Sequence, residues 1–230
     1  MLVKRKKVFN SGMRKSHKMK YNYIAIEGNI GSGKTSLATR IADQFNAKLV
    51  LEQFADNPFL PKFYKSPQKY AFPLELSFLA ERFQQLKDEL SRQELFKDFT
   101  VADYFFYKTV IFAKSTLPAD EFNLFSKLFN IINAALPKPD LLVFLHLRTE
   151  KLLENIRQRG RAYEQTIEQD YLDKIQNGYM HFIKYNQQKS KILILDTNNI
   201  DFVNNYQDYA KVVDCIFENK YETGENIIKL

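Results

Sequence analysis

Cysteine is nearly absent from this chain of 230 residues, since Cys215 is the only one. One thiol cannot form an intrachain disulfide or a cysteine-based metal site, and it indicates a reducing compartment, for which we expect the cytoplasm. No run of 18 apolar residues occurs, which excludes a membrane-spanning helix. Hydrophobic residues make up 45% of the chain and charged residues 27%, as is typical of a globular protein.

Acidic residues are missing from residues 1–20, which contain eight of the 34 lysines and arginines. Without this segment, 26 basic residues face 27 acidic ones, so the net charge of +7 reflects the segment and not the rest of the chain. The segment also lacks the apolar stretch of a signal peptide. We predict that residues 1–20 form a disordered basic tail, or that translation begins at Met19, and we do not expect the tail to bind nucleic acid. Residues 21–230 are predicted to form a single domain.

Glycine is scarce, yet three of the seven glycines lie in one segment of eight residues, from Gly28 to Thr35. The segment fits the phosphate-loop pattern, and it lies between an apolar strand and an amphipathic helix, Ser36–Phe45. In such a loop, backbone N–H groups and the positive end of the helix dipole bind a di- or triphosphate. The predicted nucleotide-binding residues are Gly28, Asn29, Ile30, Gly31, Ser32, Gly33, Lys34 and Thr35. Lys34 is expected to contact the β- and γ-phosphates and Thr35 to bind Mg²⁺, so the sequence predicts ATP or GTP binding.

Apolar segments alternate with helical patterns along the rest of the chain. The predicted strands are Tyr23–Glu27, Lys48–Glu52, Phe99–Asp103, Leu141–Leu147 and Lys191–Asp196. The predicted helices after the first are Phe72–Leu95, Asp120–Leu136, Glu150–Arg157, Glu168–Gln187 and Asn205–Glu218. Near-continuous apolar strands between helices predict an α/β fold, with a five-stranded parallel sheet covered by helices on both faces.

Carboxylates end four of the five predicted strands, at Glu27, Glu52, Asp103 and Asp196. Ligands of an open α/β sheet lie at the carboxyl ends of its strands. Two carboxylates that converge on a nucleotide suggest one Mg²⁺ ligand and one base for an acceptor hydroxyl. A carboxylate in this position can equally cap the next helix, so position alone does not assign these roles.

Three arginines surround a glycine in the segment Arg157-Gln-Arg159-Gly160-Arg161. Arginine binds phosphate oxygens with two hydrogen bonds, and the glycine permits a hinge. We therefore predict a closing lid whose arginines stabilise the transferred phosphoryl group.

In their order and spacing, these motifs resemble the deoxynucleoside kinase family, in particular its bacterial deoxyadenosine and deoxyguanosine kinases, from about Tyr23 to Phe202. The resemblance implies a P-loop kinase fold and Glu52 as the base that takes the proton from the nucleoside 5′-hydroxyl. The implied catalytic residues are Glu52, Lys34, Arg159 and Arg161. The implied substrate-binding residues are Glu52, Tyr64, Glu75, Arg82, Asp103 and Glu164, with Thr35 and Asp103 at Mg²⁺ and Asp201 and Phe202 at the donor adenine. Tyr64 and Glu164 match the family's partners of the sugar 3′-hydroxyl.

Two positions depart from the family pattern. The base-reading glutamine is replaced by Glu75, which accepts hydrogen bonds when ionised but cannot donate them. After the third strand the family has Glu/Asp-Arg-Ser, whereas this chain has Asp103-Tyr104, and the arginine is missing. Lys108, about one helical turn further on, is the candidate for the missing charge.

The predicted function is ATP-dependent phosphorylation of the 5′-hydroxyl of a purine deoxynucleoside. Deoxyadenosine is expected to be preferred over deoxyguanosine, and the enzyme is expected to be a homodimer. The alternative within the enzymes is a nucleoside monophosphate kinase of the thymidylate kinase type. A GTP-driven switch would carry an Asn/Thr-Lys-x-Asp motif, which the sequence does not contain. An ATPase that binds nucleic acid through the basic tail is the third alternative.

Overall fold

The computed structural model describes residues 20–53, 57–92 and 94–230. Apart from Lys20, the predicted tail lies outside the described residues. The strands are β1 (Tyr23–Gly28), β2 (Lys48–Val50), β3 (Thr100–Ala102), β4 (Leu141–His146), β5 (Lys191–Asp196) and β6 (Gly224–Lys229). The helices are α1 (Lys34–Phe45), α2 (Leu60–Lys65), α3 (Pro67–Ser91), α4 (Lys108–Thr116), α5 (Ala119–Asn133), α6 (Thr149–Arg159), α7 (Gln169–Asn186) and α8 (Tyr206–Glu218), with one turn of 3₁₀ helix at Ala162–Glu164.

The strands of the described residues form one parallel sheet in the order β2-β3-β1-β4-β5-β6. β1 pairs with β3 on one side and with β4 on the other, so it lies inside the sheet. The chain therefore leaves the carboxyl end of β1 at the point where the strand order reverses. This point is where open α/β sheets form the crevice that binds ligands, and the segment from Gly28 to Thr35 lies there.

The α/β fold with a parallel sheet is confirmed, but the predicted number of five strands was wrong. The sixth strand, β6, has the sequence GENIIK, in which exposed and half-buried residues alternate. It pairs only with β5, at the edge of the sheet. An edge strand with two apolar residues lacks the continuous apolar run by which the other strands were predicted.

The helices also differ from the prediction in number and in length. The short helices α2 and α4 were not predicted, and α3 begins at Pro67 instead of Phe72 and ends at Ser91 instead of Leu95. Proline is well tolerated in the first turn of a helix, where its missing N–H has no partner to lose. The long α3 therefore spans both the segment that carries Glu75 and the one that carries Arg82.

Successive residues of β1 contribute to two cores on opposite faces of the sheet. Ile24 and Ile26 pack with α1 and α8, whereas Tyr23 and Ala25 pack with α3, α4, α5 and α7. In the second layer, α4 lies close to α7 at Gly178, where a Cβ atom would be 2.8 Å from Cγ2 of Ile111. This layer fixes α4 beside the carboxyl ends of the strands. None of the helices in the described ranges is long and apolar enough to cross a membrane.

We predict that Phe129→Ala lowers the free energy of unfolding by about 3–5 kcal/mol, because it empties a buried ring site. Phe129 is 1% exposed, and its ring centroid lies 5.1 Å from those of both Phe106 and Tyr107, in the turn that leads into α4. The measurement is urea unfolding followed by circular dichroism. Lys127→Ala, at an exposed position of the same helix, is the matched control and should change stability by about 0.5 kcal/mol or less.

Candidate active site

Two residues of the phosphate loop have backbone angles that favour glycine. Gly31 and Gly33 have φ angles of 84° and 89°, and a Cβ atom on Gly33 would lie 2.7 Å from Cζ of Phe202. The helix α1 begins directly after Gly33, so its N-terminal N–H groups face the loop. The ammonium of Lys34 donates to the carbonyl of Asn29 across the loop, at 2.8 Å.

Hydrogen bonds with two helices fix the loop from outside. Asn155 of α6 donates to the carbonyl of Gly31 at 2.8 Å, and Asn29 donates to the carbonyl of Leu172 in α7 at 2.8 Å. Glu27, at the end of β1, accepts from the N–H of Phe105 and from the hydroxyl of Tyr179. The loop is therefore held in its shape by α6, α7 and the segment after β3.

Asp103 connects the phosphate loop with the end of β2. Its Oδ2 accepts from the hydroxyl of Thr35 at 2.5 Å, and its Oδ1 accepts from the N–H of Glu52 at 2.7 Å. A hydroxyl and a carboxylate next to bound phosphates are the oxygen ligands that Mg²⁺ uses in such enzymes. In the described ranges, no group of three or more His, Cys, Asp or Glu residues could hold a metal ion by itself. The pair of Thr35 and Asp103 fits an ion that is shared with a nucleotide.

Two cations hold the carboxylate of Glu52. Arg82 of α3 donates to Oε1 from Nε and Nη2 at 2.9 and 2.7 Å, and Lys108 of α4 donates to Oε2 at 2.6 Å. Arg82 is itself fixed by Thr109, whose hydroxyl accepts from Nη1 at 3.1 Å. Burial by itself raises the pKa of Glu52, but Lys108 and Arg82 outweigh this effect and lower the pKa to about 2. The carboxylate is therefore ionised at any pH at which the protein is expected to work.

The ammonium of Lys34 loses its proton at a lower pH than that of an exposed lysine. Burial is the main cause that lowers its pKa, the nearby charge of Lys108 adds to it, and the pKa falls to about 8. The carboxylates of Glu27, Glu52 and Asp103 oppose this lowering, and a bound anion would further favour the charged form of Lys34.

A cavity that is open to solvent on one side lies in front of Glu52, and the space within it, counted together with its open mouth, is about 760 Å³. Its polar lining residues are Lys34, Thr35, Glu52, Tyr64, Glu75, Arg82, Asp103, Lys108, Arg159, Arg161, Glu164 and Tyr171. Every catalytic and substrate-binding residue expected from the resemblance therefore lies around one cavity.

Glu75 differs sharply from Glu52, although both line this cavity. Its Oε1 accepts from the hydroxyl of Thr116 at 2.9 Å, while Oε2 is buried and has no hydrogen-bond partner in the described part of the chain. Arg82, which lies two turns further along α3, pairs with Glu52 and not with Glu75. Burial raises the pKa of Glu75 to about 7, against the opposing effects of Arg82 and Thr116.

The arginine-rich segment at the end of α6 lies over the cavity. Arg159 and Arg161 both donate to the carboxylate of Glu164, which is 5% exposed. The ring of Tyr163 stacks on that of Tyr64, with centroids 6.0 Å apart. The segment therefore contacts the cavity wall through an aromatic pair and holds its arginines through one buried carboxylate.

A second cavity lies on the other side of the phosphate loop and is lined by the loop and by residues 197–198 and 200–204. It shares Lys34, Thr35, Arg159 and Arg161 with the first cavity. Two ligands, one in each cavity, would therefore meet at these four side chains.

The segment that contains Asp201 and Phe202 is fixed by its own side chains and by α1. The carboxylate of Asp201 accepts from the N–H groups of Val203 and Asn204. Arg40 donates to the carbonyl of Phe202 at 2.6 Å, and its guanidinium lies 3.6 Å from the ring centroid of Tyr209. Asp201 thus shapes the loop, and the ring of Phe202 contacts the phosphate loop.

Sequence reasoning missed Thr116 and Thr109, and it named Lys108 only as a candidate. All three lie on α4, which was not predicted as a helix. Lys108, Phe112 and Thr116 are spaced i, i+4 and i+8, so that they share one helix face, and this spacing is the signal that could have found Lys108 and Thr116. Thr109 directly follows Lys108 and lies off this face, so the spacing does not indicate it. Arg40 was also missed, because nothing in its local sequence points to the distant loop that it binds.

Over most of its length, this chain is similar to known proteins. A family model described as deoxynucleoside kinase matches residues 24–220. A deoxyguanosine kinase of Bacillus subtilis is 36% identical over 193 residues, which cover 83% of this chain and 93% of the relative. A deoxyadenosine/deoxycytidine kinase of the same organism is 30% identical over 212 residues, covering 89% and 95% of the two chains.

Among solved structures, a deoxyadenosine kinase from M. mycoides with bound dCTP superposes with a TM-score of 0.73. It is 21% identical, and the match covers 86% of this chain and all of that one. At this identity the likeness shows the fold, which is that of a P-loop kinase. The family match and the curated relatives go further, and they show that this chain belongs to the deoxynucleoside kinase family.

Proposed function

We propose that the enzyme transfers the γ-phosphate of ATP to the 5′-hydroxyl of a purine deoxynucleoside. The observation that carries this proposal is the meeting of two cavities at Lys34, Thr35 and the lid arginines. One cavity borders the phosphate loop and suits the donor. The other contains Glu52, a carboxylate in reach of an acceptor hydroxyl, and suits the nucleoside.

Glu52 acts on the acceptor. Its carboxylate is ionised and held on both oxygens, so it orients the 5′-hydroxyl and accepts its proton. A carboxylate with a pKa of about 2 is a weak base, so proton transfer accompanies formation of the new P–O bond and does not precede it. The bond from the γ-phosphorus to the bridging oxygen breaks, and ADP leaves.

Cations stabilise the charge on the phosphoryl group during transfer. Lys34, Arg159 and Arg161 lie where the two cavities meet, so they contact the group on its way from donor to acceptor. Bound Mg²⁺ neutralises phosphate charge, and Thr35 and Asp103 are the residues that would hold it. Glu164 keeps both lid arginines in place by accepting their hydrogen bonds.

The remaining roles follow the resemblance. Tyr64 and Glu164 bind the sugar 3′-hydroxyl, Glu75 and Arg82 lie at the base, and the Asp201–Phe202 loop lies at the donor adenine. Relatives named as deoxyguanosine and deoxyadenosine kinases support a purine. Three expectations stay predictions: the preference for deoxyadenosine over deoxyguanosine, the homodimer and the cytoplasmic location. Sedimentation of the purified protein measures its oligomeric state.

The direct test is to incubate the purified protein with ATP labelled at the γ-phosphate and each of the four deoxynucleosides. We expect labelled monophosphate from deoxyadenosine and deoxyguanosine and much less from the two pyrimidine nucleosides. Deoxynucleoside monophosphates are offered in parallel. Labelled diphosphate with no product from any deoxynucleoside would replace this proposal by the monophosphate kinase alternative.

We predict that Glu52→Gln lowers kcat by about 10²- to 10⁴-fold, because the amide cannot accept the proton. The amide also leaves the buried charges of Arg82 and Lys108 without their anionic partner, so the variant should be less stable than the wild type. Steady-state kinetics measure kcat and the KM for the nucleoside, and calorimetric binding of the nucleoside checks that the variant is folded. Near-normal turnover by a folded variant would rule out Glu52 as the base.

Lys108→Met should lower kcat about tenfold or more and move the acid limb of the pH–rate profile to higher pH. Lys108 is a main cause of the low pKa of Glu52, so without it burial raises that pKa and Glu52 becomes protonated at a higher pH. Lys108→Arg keeps the charge and should restore the wild-type limb. Lys114→Met, at an exposed site of the same helix, is the control. A lower rate with an unchanged acid limb would mean that Lys108 is only structural.

A further inference from the structure

Glu75 lines the cavity in front of Glu52 and has a buried carboxyl oxygen without a hydrogen-bond partner in the described ranges. The residue is 2% exposed, and Oε2 has no hydrogen-bond partner within the described residues. A buried carboxyl oxygen without a partner is costly, whether ionised or protonated, unless a ligand supplies the missing hydrogen bond. This oxygen therefore indicates a ligand group that binds directly to Glu75.

The groups that face Glu75 leave its protonation state open. On its own helix, Arg82 is bound to Glu52. On α4, Lys108 is also bound to Glu52, and Thr116 contributes an uncharged hydroxyl. Tyr64 of α2 and Tyr171 of α7 complete the surroundings, and burial raises the pKa of both, so they stay neutral.

No described cation pairs directly with the carboxyl group of Glu75. The pKa of about 7 agrees with that arrangement, because burial outweighs the distant charges of Arg82 and Lys108. Both protonation states are therefore within reach near neutral pH.

The two protonation states of a carboxyl group present different hydrogen-bonding edges. The neutral acid has one donor and one acceptor, whereas the ionised form has two acceptors. Adenine offers the N1 acceptor beside its amino donor, which matches the neutral acid. Guanine offers the N1–H donor beside its amino donor, which matches the ionised form.

We propose that the protonation state of Glu75 selects the purine, so that the enzyme accepts deoxyadenosine with the acid neutral and deoxyguanosine with it ionised. This inference rests on the proposed function and makes it more specific. One site then serves two bases, and pH sets the preference between them.

The proposal makes a quantitative prediction that does not depend on the value of the pKa. The ratio of neutral to ionised Glu75 changes tenfold for each unit of pH. As the pH rises, the value of kcat/KM for deoxyadenosine divided by that for deoxyguanosine should therefore fall by about tenfold per pH unit. Titration of Glu52, Lys34 or ATP affects both substrates alike and cancels in the ratio.

The test is a competition between the two deoxynucleosides in one reaction with ATP, at several pH values from 6 to 8, where neither base titrates. The two monophosphates are separated by chromatography, and their ratio gives the ratio of kcat/KM. Glu75→Gln is the matched variant, because its amide always has one donor and one acceptor. It should favour deoxyadenosine at every pH, with a flat ratio.

Thr116→Val provides a second variant of similar shape. It removes a hydrogen bond that lowers the pKa of Glu75, so at a given pH it should shift the preference toward deoxyadenosine without changing the slope. A flat ratio in the wild type, product from only one purine at every pH, or a slope that survives in Glu75→Gln would each overturn the inference. No product from either nucleoside would overturn the proposed function instead.

Discussion

The carboxylate of Glu52 shares a buried position with two cations, Arg82 and Lys108, and the arrangement of the acceptor site depends on this contact. Its side chain is 8% exposed, and those of the two cations are 4% and 8% exposed. Removing one partner from such a cluster leaves a buried charge uncompensated, which typically costs about 3–5 kcal/mol. The cluster therefore forms only when α3 and α4 pack against the sheet, so the packing of these helices and the formation of the site depend on each other.

The same contact decides how charge is distributed around the phosphate loop. Burial is the main cause that lowers the pKa of Lys34, the charge of Lys108 adds to it, and Glu27, Glu52 and Asp103 oppose it. Asp103 also joins the loop to the end of β2. The two cations and one carboxylate of the Glu52 cluster leave one positive charge in excess, which a bound phosphate would offset.

Two glutamates in one cavity thus acquire different chemistry from their surroundings. Glu52 has two cationic partners and a pKa of about 2, whereas Glu75 has one hydroxyl partner and a pKa of about 7. Enzymes commonly separate the roles of two carboxyl groups in this way. Glu52 stays ionised and Glu75 stays close to its titration point, and under the proposed function the first acts on the reacting hydroxyl and the second lies next to the base.

The sequence by itself determined the phosphate loop, the five strands with apolar runs and the helix after the loop, because each depends on neighbours within a few residues. It also located Glu52 and Asp103 at strand ends, where the parallel sheet brings them together. The edge strand β6 has no such local signal, since its position depends on the strand against which it packs. The short helix α4 offers only the i, i+4 and i+8 spacing of Lys108, Phe112 and Thr116.

Only the tertiary structure decided which groups contact each other in the site. Arg82 and Lys108 lie 30 and 56 residues from Glu52 along the chain, and Thr116 lies 41 residues from Glu75. Glu75 and Arg82 lie seven residues apart on the same helix, yet Arg82 pairs with Glu52 and not with Glu75. The pKa of each buried carboxyl group depends on such distant partners and on the exclusion of water, and neither is present until the layers have packed.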